Sequence, residues 1–281
     1  MLKSEKIFDE LGKFSKHYEN FPVASIFIPK DKKNIVRLIY WFARTADDFA
    51  DEGCISIEKR FELLNEFEKE FIYSLNSNSK IEYLNLLANE IKGKKLDSNL
   101  FIQLLSAFKQ DITKLRYSNF LEILDYCSRS ANPIGRLLLQ LFDYRFDEVY
   151  KLSDNICTSL QIINFIQDTK IDVIKNRLYY PIDELKEFNV SESDFFSHKM
   201  TLKLKNLIRF NVNRANNILQ DGKKILKYLK GRFAVEIKWT ILGGEEILRK
   251  IERVDYDVLN FRPTLSRYDF FKILNKSLFK V

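Results

Sequence analysis

Residues 159–181, SLQIINFIQDTKIDVIKNRLYYP, place Asn164, Asp168 and Asp172 four positions apart. On a helix that spacing makes one polar line. Leu160, Ile162, Ile163, Phe165, Ile166, Ile171, Val173 and Ile174 take up nearly every other side. A helix so apolar belongs in the middle of a bundle. Its polar line then faces the interior, where an unpaired carboxylate is costly. Whatever this chain folds into must surround that helix and still satisfy its acids.

Composition agrees with a bundle. Across 281 residues there are 5 Pro and 8 Gly, so helix breakers are few and long helices joined by short turns are expected. Periodicity predicts helices near 4–18, 32–51, 56–74, 78–91, 98–111, 119–128, 133–143 and 151–175. Residues 183–187, 192–219, 221–229, 232–250 and 266–279 follow. No internal repeat, low-complexity tract or strand series interrupts them, and the breaks at Gly93 and Gly222 are too short for linkers. The expected fold class is all-α, with residues 1–281 as a single all-helical domain.

A second acidic stretch, ARTADDFADEG, spans Ala43 to Gly53. Asp47 and Asp51 lie about 6 Å apart along a helix and roughly 40° around it. The same step backwards meets Ala43, Tyr40 and Val36, so the two aspartates continue a mostly apolar stripe. Asp48 and Glu52 point away from it. One reading is a frayed acidic helix end at the surface. The other is a partner for the 164–172 line. Two unit charges 4 Å apart interact by about 4 kcal/mol at an effective dielectric near 20, so four converging aspartates need cations. Hard divalent ions suit them: Mg²⁺ takes carboxylate oxygens, keeps waters and shares its shell with phosphate. Asn164 adds a neutral oxygen. An apolar bundle with two carboxylate pairs implies a hydrophobic substrate carrying a diphosphate head. The Glu-x-x-His pattern of di-iron bundles is absent.

Other classes are poorly supported. Three cysteines and two histidines at unrelated spacings give neither a zinc site nor a disulfide framework, which favours a reducing compartment. The first residues carry no apolar run of a signal peptide, and no 18-residue apolar stretch exists. The net charge of +7 is concentrated in residues 221–281, where 14 Lys and Arg face 8 Asp and Glu. Such an end suits an anionic membrane surface or a phosphorylated ligand; no nucleic-acid reading motif accompanies it.

These stretches resemble the squalene/phytoene synthase family. YWFARTADDFADE is similar to its first aspartate-rich motif and NFIQDTKIDVIKNRLYYP to its second, with Arg177, Tyr179 and Pro181 in the tail. YCSRSANPIG and HYENFPVAS are similar to its Tyr-Cys segment and its substrate-access segment, and NFRPTLSRYDF matches more weakly. The resemblance implies an isoprenoid synthase fold around a central apolar cavity. It implies Mg²⁺ held by Asp47, Asp51, Asn164, Asp168 and Asp172, and diphosphate met by Arg44 and Arg177, with Arg262 and Lys276 as further candidates. Phe21, Tyr40, Tyr126 and Phe165 would line the cavity, and rings there could steady cationic carbon. Asn132, Gln167 and Asn164 are candidates for positioning water.

Departures from the pattern narrow the resemblance. Gln167 stands where the family has arginine, and Ser128 and Ser130-Ala131-Asn132 alter the Tyr-Cys segment. These variants resemble the bacterial hopanoid-pathway subgroup that converts presqualene diphosphate to hydroxysqualene. The reading then includes a cytoplasmic location, peripheral at the inner face of the membrane, and pathway contact with the enzyme making presqualene diphosphate. The rival in the same fold condenses two prenyl diphosphates to presqualene diphosphate, squalene, dehydrosqualene or phytoene. A rival of another class is a non-catalytic membrane-associated scaffold, which has no reason to confine four aspartates in apolar helices.

Overall fold

A computed structural model describes residues 28–197 and 199–278, and these residues form helices with no strand among them. The expected helix at 4–18, His17, His198 and the cavity candidate Phe21 lie outside the described residues. Helix α1, Lys30–Asp51, starts after Pro29 and buries Ile35, Leu38, Ile39, Phe42, Ala46 and Phe49. Ser56 caps α2, Ile57–Asn76, by accepting the Lys59 N–H. With α3, Glu82–Lys94, and α4, Asn99–Asp111, they close a core whose centre is aromatic. The Phe42 ring lies 5.1 Å from Phe67, 4.8 Å from Phe71 and 5.1 Å from Phe101.

The second core is built on α7, Asp147–Gln167. Around it stand α5, Phe120–Ser130; α6, Asn132–Leu141; α11, Leu202–Gly222; and α12, Gly231–Arg253. Short helices α8, Thr169–Ile174, α9, Ile182–Glu187, and α10, Glu192–Phe196, connect α7 to α11, and α13, Arg267–Leu278, packs on α12. Leu138 and Phe142 touch both cores.

Three expected helices are divided differently. The helix expected at 151–175 breaks at Asp168, whose φ of −99° and ψ of 12° are not helical. The Thr169 hydroxyl there bonds back to the Phe165 and Ile166 carbonyls, at 3.1 and 2.8 Å, competing with the helix ladder. The span 192–219 splits into α10 and α11 because Ser191 and Asp194 form a capping box and Thr201 caps a new start. The segment expected at 221–229 is a 3₁₀ turn over Lys223–Lys227.

Small residues let the neighbours close on α7. Gly135 faces Ser153 and Cys157, and a Cβ on Gly222 would stand 2.9 Å from both the Ile156 nitrogen and the Leu152 carbonyl oxygen. Those are backbone atoms and cannot rotate aside. Gly222→Ala is therefore expected to cost about 1–3 kcal/mol in denaturant unfolding. Gly93→Ala, with nothing within 4 Å of the added carbon, should be neutral or stabilise the fold by up to about 1 kcal/mol. Equal midpoints for the two variants would show that α11 can slide on α7.

Candidate active site

The end of α1 meets the α7–α8 junction through ion pairs. Asp51 is held by Lys175 and by Arg177, whose Nη1 lies 2.8 Å from Oδ1. The first acidic stretch thus closes on cations that lie just beyond the second, more than a hundred residues away in sequence. The Arg177 N–H donates to the Asp172 carbonyl at 2.7 Å, and its Nη2 to the Asp111 carbonyl at 3.2 Å. Arg44 reaches Asp47 at 3.0 Å and Asp48 at 2.6 Å. Glu52 is exposed at the rim.

Asp168 is paired with Arg262, which arrives on the loop between α12 and α13. That loop is fastened on both sides. The buried Gln167 carboxamide donates to the Pro263 carbonyl at 2.6 Å, and Lys250 donates to the Thr264 carbonyl at 2.9 Å and pairs with Asp269. Asp172 has no ion pair among the described residues, and Asn164 is exposed. Of the four cationic candidates, Arg44, Arg177 and Arg262 stand against the aspartates. Lys276 lies exposed on α13, with no contact to those aspartates among the described residues.

The charges are unevenly compensated. Burial, with the Asp168 charge beside it, raises the Asp172 pKa to about 7, against the pull of Arg177 and Lys175. Burial also raises Asp47 to about 6, against Arg44, with Asp51 and Asp48 adding to the rise. The Asp47 side chain nevertheless keeps 43% of its surface accessible, so it sits in a crowded but wet rim and its repulsion is partly screened. For Asp51 burial works upward, but Lys175 and Arg177 prevail and hold it below the ordinary carboxylate range. The acids therefore exceed what the protein's own cations neutralise. The donor set of carboxylates plus the Asn164 amide is all oxygen, which fits Mg²⁺. Among the described residues no three acidic, Cys or His side chains are grouped closely enough to hold a metal ion as they stand.

Beside the acids stands an aromatic wall. Phe165 and Tyr179 stack with centroids 3.7 Å apart and planes 4° from parallel. Tyr126 packs 6.0 Å from Phe165, and Tyr117 stacks 5.6 Å from Tyr179. An apolar pocket next to the stack is lined by Phe120, Ile123, Ile162, Phe165, Tyr179 and Asn211. Tyr40 is half-buried on α1. Two expected cavity-lining amides are tied into the packing: Asn132 is buried and accepts from Thr158 at 3.0 Å, and Gln167 serves the Pro263 carbonyl.

Sequence reasoning passed over Asp111, Tyr117, Lys175 and Tyr179 as site residues. Asp111 carries the signal that singled out Asp47 and Asp51. It continues the buried stripe of Leu104 and Ala107, an acid where periodicity calls for an apolar residue.

The squalene/phytoene synthase family profile matches residues 14–269, which include both acidic stretches. The hydroxysqualene synthase of Rhodopseudomonas palustris is 30% identical over 239 residues, covering 84% of this chain and 80% of its own. That of Zymomonas mobilis is 32% identical over 206 residues, covering 72% and 68%. The crystal structure of the squalene synthase HpnC from Alicyclobacillus acidocaldarius superposes with a TM-score of 0.80 at 31% identity, over 90% of this chain and 94% of that one. By its sequence and its isoprenoid synthase fold, this chain belongs to the squalene/phytoene synthase family.

Proposed function

We propose that this chain converts presqualene diphosphate and water to hydroxysqualene and diphosphate, using Mg²⁺. The observation that carries the proposal is the pair of opposed acidic stretches, under-compensated at Asp47 and Asp172, beside an aromatic wall. The named hydroxysqualene synthases at 30% and 32% identity support the choice of reaction. Asp47, Asp51, Asn164, Asp168 and Asp172 would hold the ions, which when bound supply positive charge to the departing diphosphate. Arg44, Lys175, Arg177 and Arg262, which now pair with those acids, would be placed to meet phosphate oxygens. The carbon–oxygen bond breaks with its electron pair leaving on diphosphate. Rings of the aromatic wall would steady the cyclopropylcarbinyl cation as it rearranges. Water then supplies the new carbon–oxygen bond and loses a proton. Nothing is reduced, so no nicotinamide is needed.

Incubation with presqualene diphosphate and Mg²⁺ in ¹⁸O-water, without NADPH, tests the reading. Labelled hydroxysqualene is expected. Squalene formed only with NADPH, or product formed only from two prenyl diphosphates, would replace it with the condensation reading.

Metal dependence follows from the titration of Asp47 and Asp172. A carboxyl raised in the native state binds more protons than the unfolded chain above about pH 4, so stability falls as pH climbs through about 6 and 7. Mg²⁺ binds the ionised form and relieves that loss. Its stabilisation, read as the rise in Tm, should be larger at about pH 8 than at about pH 5.5. Asp172→Asn should flatten this pH dependence, and Asp51→Asn or Asp168→Asn should lower turnover about 100-fold or more. A pH-independent Mg²⁺ effect would exclude these acids as the site.

No helix among the described residues is long and apolar enough to cross a membrane. Peripheral contact is proposed at the 3₁₀ turn. Lys223 is paired with Glu245 and Lys224 with Asp221, but Lys227 and Lys230 have no ion pair among the described residues. They flank Tyr228, which with Phe146 forms an exposed aromatic pair 5.8 Å apart. Changing both lysines to Gln should weaken binding to anionic vesicles by about 1 kcal/mol per lysine at low salt. Turnover of detergent-dispersed substrate should be unchanged; unaltered vesicle binding would remove this surface from the reading.

A further inference from the structure

Capturing a carbocation with water requires a polar group inside an apolar wall. The amides that the sequence offers are engaged or lie open: Asn132 Oδ1 accepts from Thr158, Gln167 Nε2 donates to Pro263, and Asn164 is exposed. Asp111, the last residue of α4, is only 7% exposed. Its Oδ2 accepts from the Tyr126 hydroxyl at 2.7 Å, while Oδ1 has no hydrogen-bond partner among the described residues. A buried acceptor without a partner costs about 1–3 kcal/mol and calls for a reason. The phenols of Tyr117, Tyr126 and Tyr179 all stand near enough to feel its charge. Two of them pack on Phe165. The Asp111 main-chain carbonyl accepts from Arg177, which also grips Asp51, so the carboxyl is fixed relative to the acids.

We propose that Asp111 holds the capturing water on Oδ1 and takes its proton, with Tyr126 fixing the carboxyl through Oδ2. The assignment rests on the hydroxysqualene reading above. In the step, the water oxygen gives a lone pair to the allylic carbon and forms the carbon–oxygen bond. One O–H bond breaks and its proton passes to Oδ1. Diphosphate has already carried away the electron pair of the bond it left. Burial raises the Asp111 pKa to about 7, against the Tyr126 hydrogen bond and Arg177, so both protonation states are populated near neutral pH.

The test is product partition from presqualene diphosphate with Mg²⁺ in ¹⁸O-water. Asp111→Asn keeps the shape and an acceptor for Tyr126 but cannot take a proton. The labelled hydroxysqualene fraction of total product should fall by at least about tenfold in favour of products without oxygen, while diphosphate release stays within about threefold of the parent. Asp111→Ala, which removes the carboxyl and opens space instead, should shift the fraction in the same direction. An unchanged fraction in either variant overturns the assignment. So does a parallel fall of release and hydroxysqualene with a lowered Tm, which would mark a purely structural residue. Parent protein that makes no hydroxysqualene overturns the functional reading together with this one.

Discussion

The mutual repulsion of carboxylates confined in an apolar bundle is the constraint around which this molecule is arranged. Two of these acids draw in a cation from a different part of the chain. Asp51 recruits Lys175 and Arg177 from beyond α8, and Asp168 recruits Arg262 from the loop after α12. Those pairs, rather than apolar packing alone, fix how the first core, the α7–α8 junction and the C-terminal loop meet. The supply falls short at Asp172, which keeps its proton to about pH 7. In the proposed function, bound Mg²⁺ would supply the positive charge that the protein's own cations leave short there.

Support for the loop carrying Arg262 comes from a residue with no charge. Gln167 lies immediately before Asp168 in sequence but faces the other way, into the packing, where it donates to Pro263. One turn of backbone thus presents an acid to the cleft and an anchor to the loop that brings the acid its partner. Lys250 and Asp269 fasten the loop on its other side. Arg262 is therefore placed by a buried hydrogen bond and not by its own flexible stem, which reduces the ordering cost of meeting an anion.

Both acidic lines were legible in the sequence because a charge at an apolar helical position contradicts the periodicity around it. Asp47, Asp51, Asp168 and Asp172 all show this, and the all-helical class follows from the scarcity of Gly and Pro. Asp111 shows the same signal, but singly, and one acid at a helix end reads as a solvated terminus. The break at Asp168 was not legible, since it depends on the Thr169 hydroxyl choosing the Phe165 and Ile166 carbonyls over solvent. Nor were the pairings of Gln167 and Asn132, because an amide's partner is set by which helix packs opposite.

The three acids nearest the cleft share a position: α1 ends at Asp51, α4 ends at Asp111 and α7 ends just before Asp168. Helix ends of this polarity carry a partial negative charge of up to about half an electron, from carbonyls that lack intrahelical partners; here Arg60, Arg177 and Thr169 each donate to carbonyls at one of these ends. The chain thus meets its helix-end carbonyls with donors of its own, and the excess negative charge lies on the side chains. In the proposed function a diphosphate would meet Arg44, Lys175, Arg177 and Arg262 there, and Mg²⁺ would add its charge to theirs. Protein sites that bind phosphate directly often turn helix N-termini toward it; the proposed function would instead set a diphosphate near the C-terminal ends of α1, α4 and α7, where side-chain cations and metal would have to meet it.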